Sequence, residues 1–437
     1  MTYVFGTVGC THLGYTSRGM RIHRGRNLRL IDGYVANELV TTQMISAGCR
    51  GIWHGGDVFH YSRPQPHDIE AAHRADDLRY EAGLWAGVNT GNHDAGAAAN
   101  MSASAVLHRP AMNCRVVYLD GRRGEPTPGT THTGLYEVLR PDPDRDLYLH
   151  VVSHFGLDPA LRAAGIVVDP IPLDHGVNIL CSHGIFVGDS RLYKAVERHG
   201  ADRLIPTEWV TRGWDVTLLS DYHTPGRVDG FGDADGRGQV WYTGSTVRRG
   251  FSDDESPRGW LKVVVPERGA LQVSLQQIWQ RPQTEFPSID ARGLTVSEIN
   301  DRVRDRLASQ GWVDERSQAL TGDGGWIVRQ RITGTSSGQR HDLQALIGKW
   351  AQAAEGAAFW RVRFDDPLTA VSAARPSHVH AAITERVVDF QRALDERLTA
   401  GNLAKTLRES PESLRDSALQ RARAALGAPQ QSPGTST

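Results

Sequence analysis

Five short segments of the sequence place Asp, Asn, His or Cys beside small residues, and each segment follows a predicted β-strand. The clearest are Gly-Gly-Asp at 55–57, after the strand 51–54, and Gly-Asn-His-Asp at 91–94, after the strand 84–88. Glycine permits a close approach of backbone and ligand, and ligand sites of α/β sheets collect at the carboxyl ends of strands. The pattern therefore predicts an α/β fold with a polar site at its strand ends.

Strands and helices alternate up to about residue 280, with helices predicted at 27–46 and 65–81. Beyond that point the pattern predicts a small α+β domain at 284–366, a helical segment at 376–426 and a disordered tail at 427–437. Within the second domain, helices are predicted at 296–310 and 341–354, and strands at 326–332 and 358–364.

The composition argues against several classes of protein. The 437 residues carry a formal net charge of −1, with 39% hydrophobic and 23% charged residues, which is typical of a globular chain. No apolar run reaches the ~18–20 residues of a membrane span, and the first residues lack the pattern of a secretory signal. The four cysteines form neither a disulfide framework nor a CxxC zinc motif. We expect a cytoplasmic enzyme with no membrane contact.

The five segments together offer imidazoles, carboxylates, an amide oxygen and one thiol. This donor set suits a pair of divalent metal ions, with Asp57 as the bridge between them. Two metals ~3.5–4 Å apart can activate a water and stabilise both oxygens of a phosphoryl displacement. The sequence therefore favours metal-assisted phosphoester chemistry.

These motifs resemble those of the calcineurin-like metallophosphoesterases, and more closely the SbcD-type branch, the nuclease subunits of double-strand-break repair complexes. The matching segments are Cys-Thr-His-Leu-Gly-Tyr at 10–15, Gly-Gly-Asp-Val-Phe-His at 55–60, Gly-Asn-His-Asp at 91–94, His-Gly at 183–184, Ser-Asp-Tyr-His at 220–223 and Tyr-Thr-Gly-Ser at 242–245, with Arg248 and Phe251 beyond. The resemblance covers about residues 3–280 and implies a four-layer β-sandwich flanked by helices. It matches 284–366 as a capping domain, and 376–426 as an ATPase-binding segment, by their order alone.

The resemblance implies two divalent metal ions, with Mn²⁺ as the expected metal. The first would be held by Cys10, His12, Asp57 and His223, and the second by Asp57, Asn92, His183 and Asp221. Two positions depart from the family, which has Asp at position 10 and His at position 221. A thiolate at Cys10 would shift the preference toward Zn²⁺ or Fe²⁺, whereas a protonated thiol would leave the first site weak or empty.

The same resemblance implies roles for three further residues. His93 would stand beside the scissile phosphate and donate a proton to the leaving oxygen. His60 would lie at the mouth where substrate enters. Asp94 would orient His93, as carboxylates commonly do for functional histidines.

The leading hypothesis is a metal-dependent DNA exonuclease or endonuclease in which a metal-activated water attacks phosphorus. Two alternatives stay open: a phosphoesterase for nucleotides or small phosphate esters, and a non-catalytic DNA-binding or assembly subunit whose altered ligands mark a retired site. The expected partners are DNA, an SbcC-like coiled-coil ATPase and a second copy of the chain in a homodimer. An apolar seam at 379–398 predicts a helix that packs on its own domain or on that ATPase. An Arg-rich stretch at 18–29 either contacts a phosphate backbone or begins a solvated helix.

Overall fold

A computed structural model describes residues 2–94, 101–117, 134–186, 188–189, 192, 203–251, 253, 255–308 and 312–365. The strands are β1 Tyr3–Val8, β2 Ile22–His23, β3 Arg26–Asn27, β4 Gly51–His54, β5 Trp85–Val88, β6 Cys114–Val116, β7 Tyr136–Leu139, β8 Leu147–Val152, β9 Val177–His183, β10 Ile185–Phe186, β11 Leu204–Ile205, β12 Val216–Ser220, β13 Gly226–Arg227, β14 Gln239–Tyr242, β15 Gly259–Val265, β16 Gln272–Gln277, β17 Gln283–Asp290, β18 Ile327–Thr333 and β19 Phe359–Phe364. The helices are α1 Leu28–Ser46, α2 Pro66–Glu81, α3 Pro159–Ala163, α4 Thr207–Val210, α5 Val296–Ala308, α6 Glu315–Thr321, α7 Ser337–Gln344 and α8 Ile347–Ala353.

The main hydrophobic core lies between two six-stranded sheets. The first sheet has the order β16-β15-β1-β4-β5-β6, and the second has the order β13-β14-β12-β9-β8-β7. Phe5 and Trp53 of the first sheet share one buried cluster with Leu149, Ile179 and Leu218 of the second. Burying side chains of this size contributes roughly 1.5–3 kcal/mol each, which is what holds the two sheets face to face. The predicted mixed α/β sandwich is confirmed.

Helices α1 and α2 cover the outer face of the first sheet. Ala36, Val40 and Met44 recur at helical spacing along α1 and pack in one cluster with Ile52 of β4. The side chain of Asn27 accepts a hydrogen bond from the backbone of Arg29, so Asn27 caps the helix rather than forming its first turn. Helix α1 therefore begins one residue later than its predicted start.

The strands that carry the polar motifs run parallel within each sheet. β1, β4 and β5 pair in parallel, and so do β9, β12 and β14. Cys10 follows β1, Asp57 follows β4 and Asn92 follows β5, while β9 ends at His183 and Asp221 follows β12. Parallel pairing therefore brings these side chains to neighbouring strand ends.

A three-stranded sheet in the order β17-β18-β19 forms later in the chain. Its helical layer includes α5 and α8, which are joined where Trp350 Nε1 donates to Asn300 Oδ1 at 3.0 Å. The prediction of one helix over 341–354 was wrong, because α7 ends before α8 begins. The chain turns between them, where the backbone N–H of Leu346 bonds to the carbonyl of Leu343 at 3.0 Å in a tight three-residue step.

The chain divides into two compact units. The larger contains Met1–Ser288, Thr295–Arg331 and His341–Arg363, and the described residues of the smaller are 289–294, 332–340 and 364–365. The predicted domain boundaries at 280 and 284 stay predictions. The predicted segments at 376–426 and 427–437, and the apolar seam at 379–398, lie outside the described residues. Within the described ranges, no helix combines the length and apolar character needed to cross a bilayer.

Candidate metal centre

Four predicted ligand residues have backbone conformations that most residues avoid. Cys10, His12, Asp57 and Asp221 have φ angles of 48°, 46°, 56° and 95°. Such left-handed conformations cost on the order of 1–3 kcal/mol each and cluster at functional sites. Hydrogen bonds between loops offset this cost, including Cys10 N–H to the Gly56 carbonyl at 2.9 Å and His12 N–H to the Asp57 carbonyl at 3.0 Å.

The structure brings the predicted metal ligands into two adjoining groups. The ligand atoms of the first group, Cys10, His12 and His223, all lie within 4.8 Å of one another. Those of the second group, Asp57, His183 and Asp221, satisfy the same condition. His12, His60 and His93 form a third group that satisfies the same condition, so the division of the ligands into two metal sites stays a prediction.

Asp57 belongs to the second group and also faces the first. Its Oδ2 is 3.4 Å from His12 Nε2 and 3.5 Å from His183 Nε2. Two ligands on one tetrahedral cation, each bound at about 2.0–2.1 Å, stand roughly 3.4 Å apart. Asn92 extends the second group, with its Oδ1 3.1 Å from His183 Nε2, and Asp221 Oδ1 is 3.8 Å from the same nitrogen. Donor atoms at these separations suit shared cations.

A carbonyl fixes the ring orientation of His183. Its Nδ1 lies 2.8 Å from the carbonyl oxygen of Gly55, and because a carbonyl only accepts, this nitrogen must carry the proton. The lone pair of Nε2 then points at the ligand cluster in the neutral ring, as in many metal-bound histidines. The carbonyl of Gly55, in the loop after β4, thereby orients His183 so that Nε2 can bind a cation.

The cluster contains a ring nitrogen without a partner and buried carboxylates, which a bound cation would stabilise. His12 Nε2 is buried without a hydrogen-bond partner. Burial alone would lower the pKa of His183, but Asp57 and Asp221 raise it to about 9. Burial opposes ionisation of Asp57 too, yet His183 and His12 hold the pKa of that carboxyl well below its usual value. An orphaned imidazole nitrogen and concentrated carboxylates fit divalent cations.

Glycines in the motifs are required by the space around these ligands. A Cβ added at Gly55 would lie 1.9 Å from Ser220 Oγ, and one at Gly91 would lie 2.1 Å from Asp57 Oδ1. Neither position has room for a side chain, because ordinary contacts to a Cβ begin at 3.4 Å. The Gly-Gly-Asp and Gly-Asn-His-Asp motifs therefore depend on glycine for close approach as well as on their ligands.

Cys10 is buried, and its Sγ accepts a hydrogen bond from the backbone N–H of Asp221 at 3.3 Å. Burial first, and then the carboxylates of Asp57 and Asp221, raise the pKa of this thiol well above its usual value. A cation in contact with the sulfur would reverse the preference, because coordinated thiols lose their proton. Both sequence-based interpretations, a thiolate ligand and a protonated thiol, stay open.

His93 is half-buried beside the first group, with its ring centroid 4.7 Å from that of His12. Its Nδ1 donates to the carbonyl oxygen of His60 at 2.8 Å, which directs Nε2 away from that carbonyl. Its backbone N–H donates to Asp57 Oδ1 at 2.9 Å. The His60 ring lies 5.1 Å from those of His93 and Tyr15, at a half-buried position consistent with a substrate mouth.

Asp94 does not orient His93, in contrast to the expectation from the sequence. Its buried carboxylate accepts hydrogen bonds from the backbone N–H groups of Asp57 at 2.8 Å, Phe59 at 3.0 Å and Gly91 at 3.0 Å. Its carboxylate oxygens bind these three amides, and the ring of His93 takes its orientation from the His60 carbonyl instead. Asp94 therefore ties the loops after β4 and β5 together and positions the backbone of Asp57.

Two residues near the ligands were missed by sequence reasoning. Arg249 Nη2 lies 2.9 Å from His223 Nδ1 and contacts the same ring at Nε2, whereas the motif comparison had singled out Arg248, its neighbour. His154 packs its ring 5.8 Å from that of His183, and its Nδ1 lies 3.3 Å from the His183 carbonyl. His154 follows the end of β8, so the strand-end rule that found the other motifs would have found it too.

No protein-family model matches the sequence, and a search of curated proteins finds no match. Among solved structures, a dimetal phosphatase from Danio rerio is 10% identical, over 62% of this chain and 98% of that chain, with a TM-score of 0.32. The calcineurin-like phosphoesterase YfkN from Bacillus subtilis is 10% identical, over 63% of this chain and 90% of that chain, with a TM-score of 0.29. Similarities this low assign no activity to the chain.

Proposed function

We propose that this chain is a metal-dependent phosphodiesterase and that its substrate is DNA. The observation that carries the proposal is the convergence of two ligand groups on Asp57, with a histidine that is outside both groups at their edge. Bound there, two divalent cations would supply Lewis-acid activation of water and charge stabilisation at phosphorus. The first group would be Cys10, His12, Asp57 and His223, and the second Asp57, Asn92, His183 and Asp221.

Hydrolysis adds the oxygen of water to phosphorus and breaks the opposite P–O bond, so the leaving oxygen must gain a proton. His93 would give that proton from Nε2 of its doubly protonated ring and be left neutral, because its Nδ1–H is held by the His60 carbonyl at 2.8 Å and only Nε2 remains for substrate. His60 supports this role by fixing the ring of His93. Arg249, beside His223, supplies a planar cation that suits a phosphoryl oxygen.

The metals expected are Mn²⁺ at the oxygen-rich second group, and Zn²⁺ or Fe²⁺ at the first group if the sulfur of Cys10 binds. The resemblance to the SbcD-type branch supports DNA as substrate and an SbcC-like ATPase and a homodimer as partners. These partners rest on the resemblance alone, since the segment expected to bind the ATPase lies outside the described residues.

The test is hydrolysis of single-stranded DNA, double-stranded DNA and bis(p-nitrophenyl) phosphate by the full chain with added Mn²⁺, Zn²⁺ or Fe²⁺. His93→Gln should lower kcat by roughly 10²–10⁴ while the bound metal content stays unchanged. The matched control is His175→Gln, because His175 is exposed and pairs with Asp174.

Each outcome bears on a different part of the proposal. Hydrolysis of the small diester with no cleavage of DNA would replace DNA with a small phosphate ester as substrate. A chain that binds no metal and hydrolyses neither substrate would refute the proposed activity and favour a non-catalytic subunit. Loss of metal from His93→Gln would make His93 a ligand rather than a proton donor.

A further inference from the structure

A second polar site adjoins the metal centre. A groove of about 430 Å³ is lined by five arginines and one glutamine, among other residues. We call it the arginine groove, and its guanidinium and amide side chains are those of Arg29, Arg249, Gln283, Arg329, Arg361 and Arg363. No role in the proposed chemistry has been given to any of them except Arg249.

Strand alternation gives the arginine groove much of its charge. Phe359, Arg361 and Arg363 occupy alternate positions of β19 and so project from one face of the three-stranded sheet. Arg361 and Arg363 are exposed, whereas Phe359 is buried at the base. Arg329 on β18 adds a third guanidinium, which lies 4.2 Å from the ring centroid of Phe251. One face of a short sheet thus carries three cations.

Charge compensation inside the arginine groove is incomplete. Arg29 Nη1 donates to Asp32 Oδ2 at 3.0 Å, but Arg281 Nη2 donates to Oδ1 of the same carboxylate at 2.8 Å. One carboxylate therefore serves two buried guanidinium groups, which leaves a net positive charge. Glu285 pairs with Arg329, and Arg361 forms no ion pair with any residue in the described ranges. The groove is therefore prepared for an anion.

Two buried donors in the arginine groove have no acceptor. Arg29 is 3% exposed, and its Nη2 is buried without a hydrogen-bond partner, as is Gln283 Nε2. Leaving a buried donor unsatisfied costs roughly 1–3 kcal/mol, and more for a charged group. Both residues line the same groove, so a single class of ligand, rich in anionic oxygens, would satisfy both.

The arginine groove is continuous with the metal centre. Tyr15 and Arg249 line the groove, and the ring of Tyr15 is 5.1 Å from that of His60. Arg249 contacts His223 on one side, and its guanidinium carbon lies 5.8 Å from the centroid of the Tyr15 ring on the other. A ligand in the groove would reach the metal ligands past these two side chains.

We propose that the arginine groove binds the non-scissile phosphates of a single DNA strand whose scissile phosphate lies at the metal centre. This inference rests on the proposed function and names the part of the substrate that the metal centre leaves unbound. A small phosphate ester has one phosphate, which the metal centre would occupy, and it would leave Arg29 and Gln283 unsatisfied. A strand with successive phosphates satisfies both sites at once.

The first experiment measures binding of a fluorescent single-stranded oligodeoxynucleotide to the full chain in EDTA, where metal-dependent cleavage cannot consume the probe. Arg361→Ala combined with Arg363→Ala should weaken binding at least about tenfold. It should also reduce the slope of log K against log salt by about 1.4, since each lost phosphate contact on a single strand accounts for about 0.7. Arg304→Ala, which removes one exposed positive charge from α5, is the control and should leave the slope unchanged.

The second experiment removes an orphaned donor without changing charge. Gln283→Met keeps the approximate length of the side chain and removes its Nε2. It should weaken oligonucleotide binding severalfold with the salt slope unchanged, and it should raise the Tm of the ligand-free chain, because an unsatisfied buried donor disappears. A purely structural glutamine would instead lower the Tm and leave binding unaltered, which would overturn its assignment to the groove.

The failures of the two proposals can be told apart. Groove variants that bind the oligonucleotide as Arg304→Ala does, in a chain that hydrolyses diesters, would refute the arginine groove and leave the phosphodiesterase standing. Arginine-dependent binding in a chain that hydrolyses nothing with any metal would support the groove and refute the proposed activity.

Discussion

Gly91 is the position at which one added methyl group should do most damage to the metal centre. In Gly91→Ala the new Cβ would lie 2.1 Å from Asp57 Oδ1, 2.6 Å from Asp57 N and 2.7 Å from His183 Cε1. Ordinary contacts to a Cβ begin at 3.4 Å. The distance from the new Cβ to Asp57 Oδ1 is about 1.3 Å too small, so this oxygen must move. Functional constellations tolerate displacements of about 0.5 Å. Since Asp57 is proposed to bind both metals, both sites should lose affinity.

The expected magnitude follows from the same distances. Overpacking of this kind typically costs about 1–3 kcal/mol of stability, and we expect metal affinity to fall at least about 100-fold, or roughly 2.8 kcal/mol of binding free energy. Calorimetric titration with Mn²⁺ and Zn²⁺ gives the affinity and the number of ions bound, and thermal unfolding of the metal-free chain gives the stability.

The control is the same chemical change where space is open. Gly348 lies in helix α8, and a Cβ there would meet nothing within 4 Å. Gly348→Ala should stabilise the fold by about 0.5–1 kcal/mol through helix propensity and leave metal binding unchanged. If Gly91→Ala binds two metals as tightly as Gly348→Ala does, the assignment of Asp57 and His183 as crowded metal ligands is incorrect.

Three further predictions concern single residues. Cys10→Asp should raise Mn²⁺ affinity about tenfold and abolish thiolate-to-metal charge transfer in the Co²⁺-loaded chain; an unchanged spectrum would exclude sulfur ligation. Burial lowers the pKa of His150 to about 4. His150 therefore takes up a proton more readily in the unfolded chain than in the folded one, and the free energy of unfolding falls by up to about 1.4 kcal/mol per pH unit as the pH drops from 6.5 to about 4. Urea unfolding at both pH values should give a smaller difference for His150→Gln, and an equal difference would contradict the reasoning. Arg281→Met should cost about 3–5 kcal/mol, because it breaks a buried hydrogen-bond network in which Arg281 donates to Asp32 and to the carbonyls of Asp323 and Gly325; a loss below about 1 kcal/mol in denaturant unfolding would contradict it.

The local elements, and the polar side chains that gather at the strand ends, were predictable from the sequence. In the segments 51–57 and 84–94, an apolar strand, glycines and polar residues follow one another within a few positions. The sequence pattern alone therefore predicted strands that end in a polar site. Parallel pairing then needed only the general rule that carboxyl ends of strands meet at one edge. The same local reasoning failed at 341–354, where a buried Leu343 and a turn divide one predicted helix into two.

The partners of those residues were decided by the tertiary structure. Asp94 binds the amides of Asp57 and Phe59, more than 30 positions away, rather than the neighbouring ring of His93. The spacing of residues along the chain cannot reveal which partner Asp94 binds. Its partner depends on which loop has backbone N–H groups that lack another acceptor. The contact between Arg249 and His223 was hidden for the same reason, since it joins two loops 26 positions apart in the chain.

The arginine groove is the clearest case of a feature absent from the sequence pattern. Arg29 belongs to the stretch at 18–29, for which the sequence allowed either contact with a phosphate backbone or a solvated helix start. In the structure Arg29 is buried and donates to Asp32. Its role depends on Arg361, more than 300 residues later, and on strand alternation that only pairing into a sheet can align. Sequence determined which residues could bind metal, because strand-end chemistry is local. Tertiary structure decided what lies beside that metal centre, because charge compensation and burial depend on residues distant in the chain.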